Sequence, residues 1–250
     1  MTILITGASG NLGRKLHRHL AGSYALRLLD INPRGDDRII KADFSTWRLS
    51  WVRHFMGVDT VVHLAADPNP TRSWQEMLRP NFDTFAHVFN AAVQGGAKRI
   101  IFASSNHVMG GYRDNNTPQM LQEDTPPLPG LIYGENEQYD TTPYGAFKLA
   151  AERLGKCYAD IHDISFIGVR IGYIKHDDNS AANFRNENAW GRQMWLSDRD
   201  YCQLMQCCIE ADSTLRFAIV NGMSANAGMR WDIEEARRLV GYQPQDGWPD

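Results

Sequence analysis

A doubly wound α/β fold is predicted by two features of this sequence. Apolar runs alternate with amphipathic stretches from the first residue, and the early runs are apolar at every position. Ile3-Leu4-Ile5, Val61-Val62-His63-Leu64 and Ile100-Ile101-Phe102 lack the period-two alternation of a strand with one wet face. Strands of a parallel sheet read this way, because helices cover both of its faces. With a phosphate-type glycine turn after the first strand, the class becomes a Rossmann-type parallel sheet with a small C-terminal substrate cap.

The elements follow in order. Strands are expected over 2–6, 25–30, 60–65, 99–104, 165–169 and 216–220, and helices over 11–20, 47–55, 81–94 and 144–161. A further short strand should end near Asp43. Tyr201 to Ile209 has helical periodicity. Residues 112–142, rich in Pro, Asn and Asp, read as a long surface excursion of the kind that usually carries function. The organisation expected is one domain over 1–250, with the cap formed mainly by 172–214 and 222–250.

Composition removes several classes of function. At 250 residues, with 43% apolar and 22% charged residues, the chain is an ordinary globular protein. A net charge of −3 does not suit a nucleic-acid surface, and the one basic cluster, Arg14-Lys15-His17-Arg18-His19, reads as a solvated helix face. No apolar run reaches the ~18 residues that span a bilayer. The first residues carry no basic secretory pattern, so the cytoplasm is the expected compartment. Cys157, Cys202, Cys207 and Cys208 show neither a disulfide framework nor a CxxC pair, and are read as free thiols. No metal is expected.

The glycine turn is Gly7-Ala8-Ser9-Gly10-Asn11-Leu12-Gly13, between the first strand and the first helix. Glycines there allow a tight turn and close approach of backbone N–H groups to a pyrophosphate at the helix N-terminus. Asp30 ends the second strand. A carboxylate there accepts the adenosine ribose hydroxyls and repels a 2′-phosphate, which favours NAD, although it also suits a turn cap before Asn32-Pro33. Arg34 stands close enough to meet a 2′-phosphate, and Asp43 stands where it can face the adenine.

Tyr144-Gly145-Ala146-Phe147-Lys148 puts a phenol and an ammonium one helical turn apart on one face. A phenol with pKa ~10 needs nearby positive charge to act as a base at neutral pH; Lys148 and an oxidised nicotinamide would both supply it. Tyr133 and Tyr139 have no lysine four residues on, which prefers Tyr144.

With Asp30, Asp43, His63-Leu64-Ala65-Ala66 and Phe102-Ala103-Ser104-Ser105 in order between the glycine turn and the Tyr–Lys pair, the chain resembles the extended branch of the short-chain dehydrogenase/reductase superfamily. Ser104-Ser105-Asn106-His107, Val169-Arg170-Ile171-Gly172 and Trp195-Leu196-Ser197 resemble the uronate dehydrogenases and the archaeal NAD-dependent glucose-6-phosphate dehydrogenases. The resemblance implies Tyr144, Lys148 and Ser105 as the catalytic set. It implies cofactor contacts at Gly7, Gly10, Asn11, Leu12, Gly13, Asp30, Asp43, Phe44, Leu64, Ala65, Ala66, Asn81 and Lys148. Ser105, Asn106 and His107 would line the sugar pocket, with Arg192 or Arg185 holding an acidic group.

The activity implied is oxidation of C1 of a pyranose, a hexuronate first, to its lactone with NAD. A glucose-6-phosphate or general aldose dehydrogenase is the alternative. A nucleotide-sugar epimerase would need a larger C-terminal lobe, and an NAD(H)-sensing protein would not need the full catalytic set. A sugar is the expected ligand, and a homo-oligomer paired through 81–94 and 144–161 the expected assembly. Two departures from the group stand out. Residues 135–143 are additional, and the position of the uronate enzymes' anchoring arginine falls on Trp190, which would stack on the sugar face if neither arginine reads charge.

Overall fold

Parallel pairing begins with β1 (Thr2–Thr6), which lies between β2 (Ala25–Asp30) and β4 (Thr60–His63). β3 (Ile39–Lys41), β5 (Arg99–Ser105), β8 (Ser165–Ile171) and β9 (Phe217–Gly222) complete a sheet of order β3-β2-β1-β4-β5-β8-β9. A short antiparallel pair, β6 (Ile132–Tyr133) with β7 (Tyr139–Asp140), stands apart. The computed structural model describes residues 1–115, 118–133 and 139–249. Strand order reverses between β1 and β4, which opens a crevice at the carboxyl ends of the strands, where such sheets bind ligands.

The pleat sorts each apolar run into two cores. Ile3, Ile5, Val62, Ile101 and Ile167 face α1 (Asn11–Leu20), α7 (Asp198–Glu210) and α8 (Glu234–Val240). Leu4, Val61, Ile100 and Phe166 face the other side. There they meet α2 (Leu49–Val52), α4 (Thr84–Gly95) and α5 (Thr142–Ile161). Continuous runs such as Ile3-Leu4-Ile5 thus serve both layers by alternation. A third cluster joins Val108, Met109, Leu121, Met194, Met223 and Trp231 beneath the C-terminal segments, beside α6 (Ala189–Gln193).

Several bounds differ from expectation, each with a local cause. β4 ends at His63 rather than residue 65, because the next N–H groups turn to Thr6 Oγ1. The helix expected over 47–55 is one α turn followed by a 3₁₀ turn, Arg53–Phe55. The helix expected from residue 81 begins earlier, as α3 (Trp74–Met77) and a π-helical turn, Leu78–Asp83. Pro80 lies in that turn, where its missing N–H suits a widened ladder.

The basic cluster on α1 is not simply a solvated face: His17 is buried, Lys15 pairs with Asp198 and His19 bonds Gln206. These contacts place α7 in the helical layer of the sheet, so part of 172–214 is core rather than a cover over the strand ends. All four cysteines are free, and no helix among the described residues is long and apolar enough to cross a membrane.

Candidate functional site

The glycine turn is fixed by sterics. Gly7 has φ +69°, and a Cβ there would stand 2.8 Å from the Ala65 nitrogen. A Cβ on Gly13 would stand 2.1 Å from the Gly7 carbonyl oxygen. Gly10 is the N-cap of α1 and brings no side chain to it, so the helix presents uncapped N–H groups to the crevice. Asn11 donates from Nδ2 to the Lys175 carbonyl at 3.3 Å, while its buried Oδ1 has no partner. Leu12 is partly buried, and its carbonyl accepts the Tyr201 hydroxyl at 3.3 Å. A dinucleotide fits this cradle: the glycine floor and free N–H groups suit its pyrophosphate, and the orphaned Asn11 amide oxygen can accept from one of its hydroxyls.

Asp30 is buried, with Oδ2 accepting the Ser9 N–H and Oδ1 the Asn32 N–H, both at 2.9 Å. The turn-cap role is therefore real, and each oxygen keeps a lone pair for a ribose hydroxyl. Asp43 is exposed and accepts the Ser45 N–H. Phe44 buries its ring against Trp51, leaving only backbone to offer a cofactor. Leu64 and Ala65 donate to Thr6 Oγ1, and Ala66 follows them at the partly buried edge of the crevice. Asn81 clamps the next segment by accepting the Asp67 N–H at 2.7 Å and donating to its carbonyl.

At the end of β5 the pleat separates two neighbouring serines. Ser104 Oγ donates to Glu152 Oε1 at 2.6 Å, within a buried network where Arg170 grips the same carboxylate through two bonds of 3.0 Å. Ser105, on the other face, lies 3.2 Å from His107 Nδ1 and near enough to the Tyr144 hydroxyl to lower its phenol. Lys148 donates to the Ala103 carbonyl at 2.7 Å, with Nζ 5.6 Å from the Tyr144 ring centroid. Burial lowers its ammonium to about 8, against the pull of Glu152.

Burial raises the Tyr144 phenol to about 12; Ser105 pulls it down and Asp67 pushes it up. Without a cofactor, burial outweighs the pull of Ser105 on this phenol; of the two positive charges expected to favour a phenolate, Lys148 and an oxidised nicotinamide, the second comes only with the cofactor. His107 meets Tyr144 edge-on at 5.3 Å and is held neutral, at about 4, by burial and by Lys148.

On the substrate side, Asn106 is buried and ties β5 to β8 by donating to the Ile171 carbonyl. Arg192 is partly buried, donates from Nη1 to the Glu187 carbonyl and lies over the Trp248 ring. Arg185 is exposed. Trp190 packs on Trp231 at 4.3 Å with Arg230 over its ring, which draws it toward the third core instead of a sugar. Of the added residues 135–143, those at 135–138 lie outside the described residues, as does the Tyr133 side chain; Tyr139 is exposed.

Four residues escaped the sequence reading. Glu152 had a signal, standing four residues after Lys148 on the same helix face. Ser73 and Glu76 form a capping box that starts α3, also a readable pattern. Lys175 had none, because its contact with Asn11 spans 164 positions. The described residues hold no cluster able to bind a metal, and a cavity of about 680 Å³ beside β9 is lined by none of Ser105, Tyr144 and Lys148.

Comparison with known proteins agrees with this architecture. The NAD-dependent glucose-6-phosphate dehydrogenase of Haloferax volcanii is 38% identical over 98% of this chain and 93% of its own length. An L-arabinose 1-dehydrogenase (NAD(P)⁺) of the same organism is 33% identical over 98% of this chain and 96% of its own. The crystal structure of an Agrobacterium tumefaciens uronate dehydrogenase variant complexed with NAD superposes with a TM-score of 0.79 and 27% identity, covering 99% of this chain and 85% of that one. The model of the NAD-dependent epimerase/dehydratase family matches residues 3–174. The chain belongs to that family, with NAD as its cofactor.

Proposed function

We propose that the chain is an NAD-dependent sugar dehydrogenase that oxidises the C1 hydroxyl of a pyranose bearing an acidic group, giving the lactone. The observation that carries this reading is the convergence of Ser105, Tyr144 and Lys148 at the carboxyl end of β5, beside the glycine turn. Bound NAD⁺ supplies the hydride acceptor and a positive charge beside the phenol. Tyr144 Oη takes the C1 hydroxyl proton as the C1 hydride leaves, so the sugar loses two electrons and one proton is released. Ser105 holds the reacting oxygen, and Lys148, fixed on the Ala103 carbonyl, supports the phenolate and the nicotinamide ribose. Arg192 is the proposed reader of the acidic group, since only its Nη1 has a protein acceptor among the described residues.

A hexuronate is the first substrate to test, because a planar carboxylate matches the guanidinium fork. A hexose phosphate is the second, on the strength of the 38% identical relative. A general aldose dehydrogenase is favoured instead by one observation: Trp190 occupies the expected anchoring position and is packed away. NADH formation measured on glucuronate, galacturonate, glucose 6-phosphate, glucose, galactose and arabinose separates these readings. Loss of the acidic reading follows if neutral sugars match the acids in kcat/KM. The whole proposal falls if no aldose is oxidised.

The reading includes a homo-oligomer paired through α4 and α5. Trp74, Leu78 and Phe82, four residues apart, are 47%, 49% and 39% exposed beside those helices. A monomeric mass by light scattering at micromolar concentration would remove this part.

A further inference from the structure

The Ser105 hydroxyl has one proton to give and two lone pairs to fill. Two groups of His107 contact it, the backbone N–H, which donates to Oγ at 3.2 Å, and Nδ1, also at 3.2 Å; the Tyr144 hydroxyl, whose phenol Ser105 lowers, is the third candidate partner. The His107 tautomer decides how the competition ends. With the ring proton on Nε2, Nδ1 is an acceptor and takes the Ser105 proton. Tyr144 can then only donate to Ser105, which holds the phenol protonated. With the ring proton on Nδ1, both lone pairs of Oγ are filled by His107, and the single Ser105 proton points to the Tyr144 oxygen.

We propose that His107 is a positioning residue in its Nδ1–H tautomer, keeping the single Ser105 proton off the imidazole and available to the phenolate or, in its place, to the sugar oxygen on which charge develops. Its Nε2 is then an acceptor for a ring hydroxyl of the sugar, so one imidazole serves both rate and recognition. The downward pull of Ser105 on the Tyr144 phenol is the direction this arrangement requires, and His107, held neutral, is free to choose its tautomer. The neighbouring serine cannot substitute, because its proton is committed to Glu152. The catalytic consequence rests on the dehydrogenase reading; the tautomer does not.

Two measurements test the proposal separately from that reading. Long-range ¹H–¹⁵N NMR of the ¹⁵N-histidine-labelled protein, with His107→Asn for assignment, should show His107 protonated on Nδ1; an Nε2–H pattern overturns the proposal whatever the substrate. Kinetics on the best sugar of the panel should split two variants. His107→Asn keeps an amide N–H where Nδ1 stood and should hold kcat within about threefold while KM rises about tenfold. His107→Gln reaches the Nε2 position instead and should lose kcat by about tenfold or more with KM little changed. Thermal midpoints and NADH affinity should match the parent in both. Equal losses in the two variants, or the reverse split, overturn the proposal, whereas failure of the parent on every sugar defeats only the functional reading.

Discussion

The cofactor side and the substrate side of the crevice are built on different principles. On the cofactor side the backbone itself is the binding surface, and contacts of 2–3 Å forbid any side chain at Gly7 and Gly13. The substrate side is built from long side chains on the segments after β8. There Arg192 reaches the Glu187 carbonyl and Trp190 packs on Trp231. Gly7 and Gly13 leave no room for a side chain, whereas Arg185 is exposed and Arg192 only partly buried. A chain made this way keeps its cofactor while its substrate changes, which fits relatives that share the fold and differ in the sugar they are named for.

Tyr144 stands where the two sides meet, and removing its oxygen should have the largest effect. Tyr144→Phe keeps the ring against His107 and loses the base, so kcat should fall by roughly 10²–10⁴ while NADH titration stays unchanged. Near-normal turnover would remove Tyr144 from the chemistry.

Gly13→Ala sharpens the contrast. Its Cβ would stand 2.1 Å from the Gly7 carbonyl and 2.7 Å from the Ala8 Cα, both backbone atoms that cannot step aside cheaply. NADH affinity should drop at least about tenfold, with the thermal midpoint lowered as the turn shifts. On the substrate side, Arg192→Ala should raise KM for the acidic sugar about tenfold, the loss of one charge-assisted contact at ~1.5–3 kcal/mol, and leave NADH affinity alone. Arg185→Ala should be silent. A response confined to Arg185 would transfer the anchor to it.

The same contrast explains what the sequence disclosed. β1, β2 and α1 take the bounds read from pattern, because a continuous apolar run, a glycine turn and an amphipathic decade are local signals. The pairing of Tyr144 with Lys148 was legible for the same reason, as spacing on one helix, whereas Ser105 was picked out by the family resemblance. The opposite orientation of Ser104 followed from the pleat alone. The packing of Trp190 was not legible, because its partner, Trp231, is brought to it by the tertiary fold. Asn81 was expected at the cofactor, yet its amide is committed to Asp67 through a π-helical turn that no simple period announces.

Cofactor choice tests the cofactor side more gently. Ser9, Arg14, Arg18, Arg34 and Arg38 line a cavity of about 330 Å³ next to the Asp30 turn, so positive charge is available for a 2′-phosphate. Asp30→Ala should weaken NAD and narrow the NAD/NADP ratio several-fold, and should also lower the thermal midpoint because the Ser9 and Asn32 N–H groups lose their acceptor. Arg34→Ala should widen the ratio with no loss of stability. A parent enzyme that prefers NADP would reverse the role given to Asp30.

The smallest effect expected is on stability in mild acid, and it too divides between the two sides. His63 lies buried under the cofactor turn, where Nδ1 takes the Thr6 hydroxyl proton, and burial lowers its imidazolium to about 3. His107, on the substrate side, is lowered to about 4. Both lie below the ordinary value near 6.5, so between these limits the unfolded chain binds more protons than the folded one. Stability therefore rises with pH in that window, and is lost progressively as pH falls from about 6.5 toward 4 and then 3. Urea midpoints should be lower at pH 5 than at pH 7. His63→Asn keeps an acceptor for Thr6 without a titrating ring and should flatten this dependence about as much as His107→Asn between pH 5 and 7, because both folded values lie below 5; it should flatten it more only below about pH 4, where His107 already titrates in the folded chain. Clearly unequal flattening between pH 5 and 7 would mean that one of the two takes up its proton in the folded chain above pH 5. No flattening by either would assign the acid sensitivity to His17 and His54, whose imidazoliums burial also depresses.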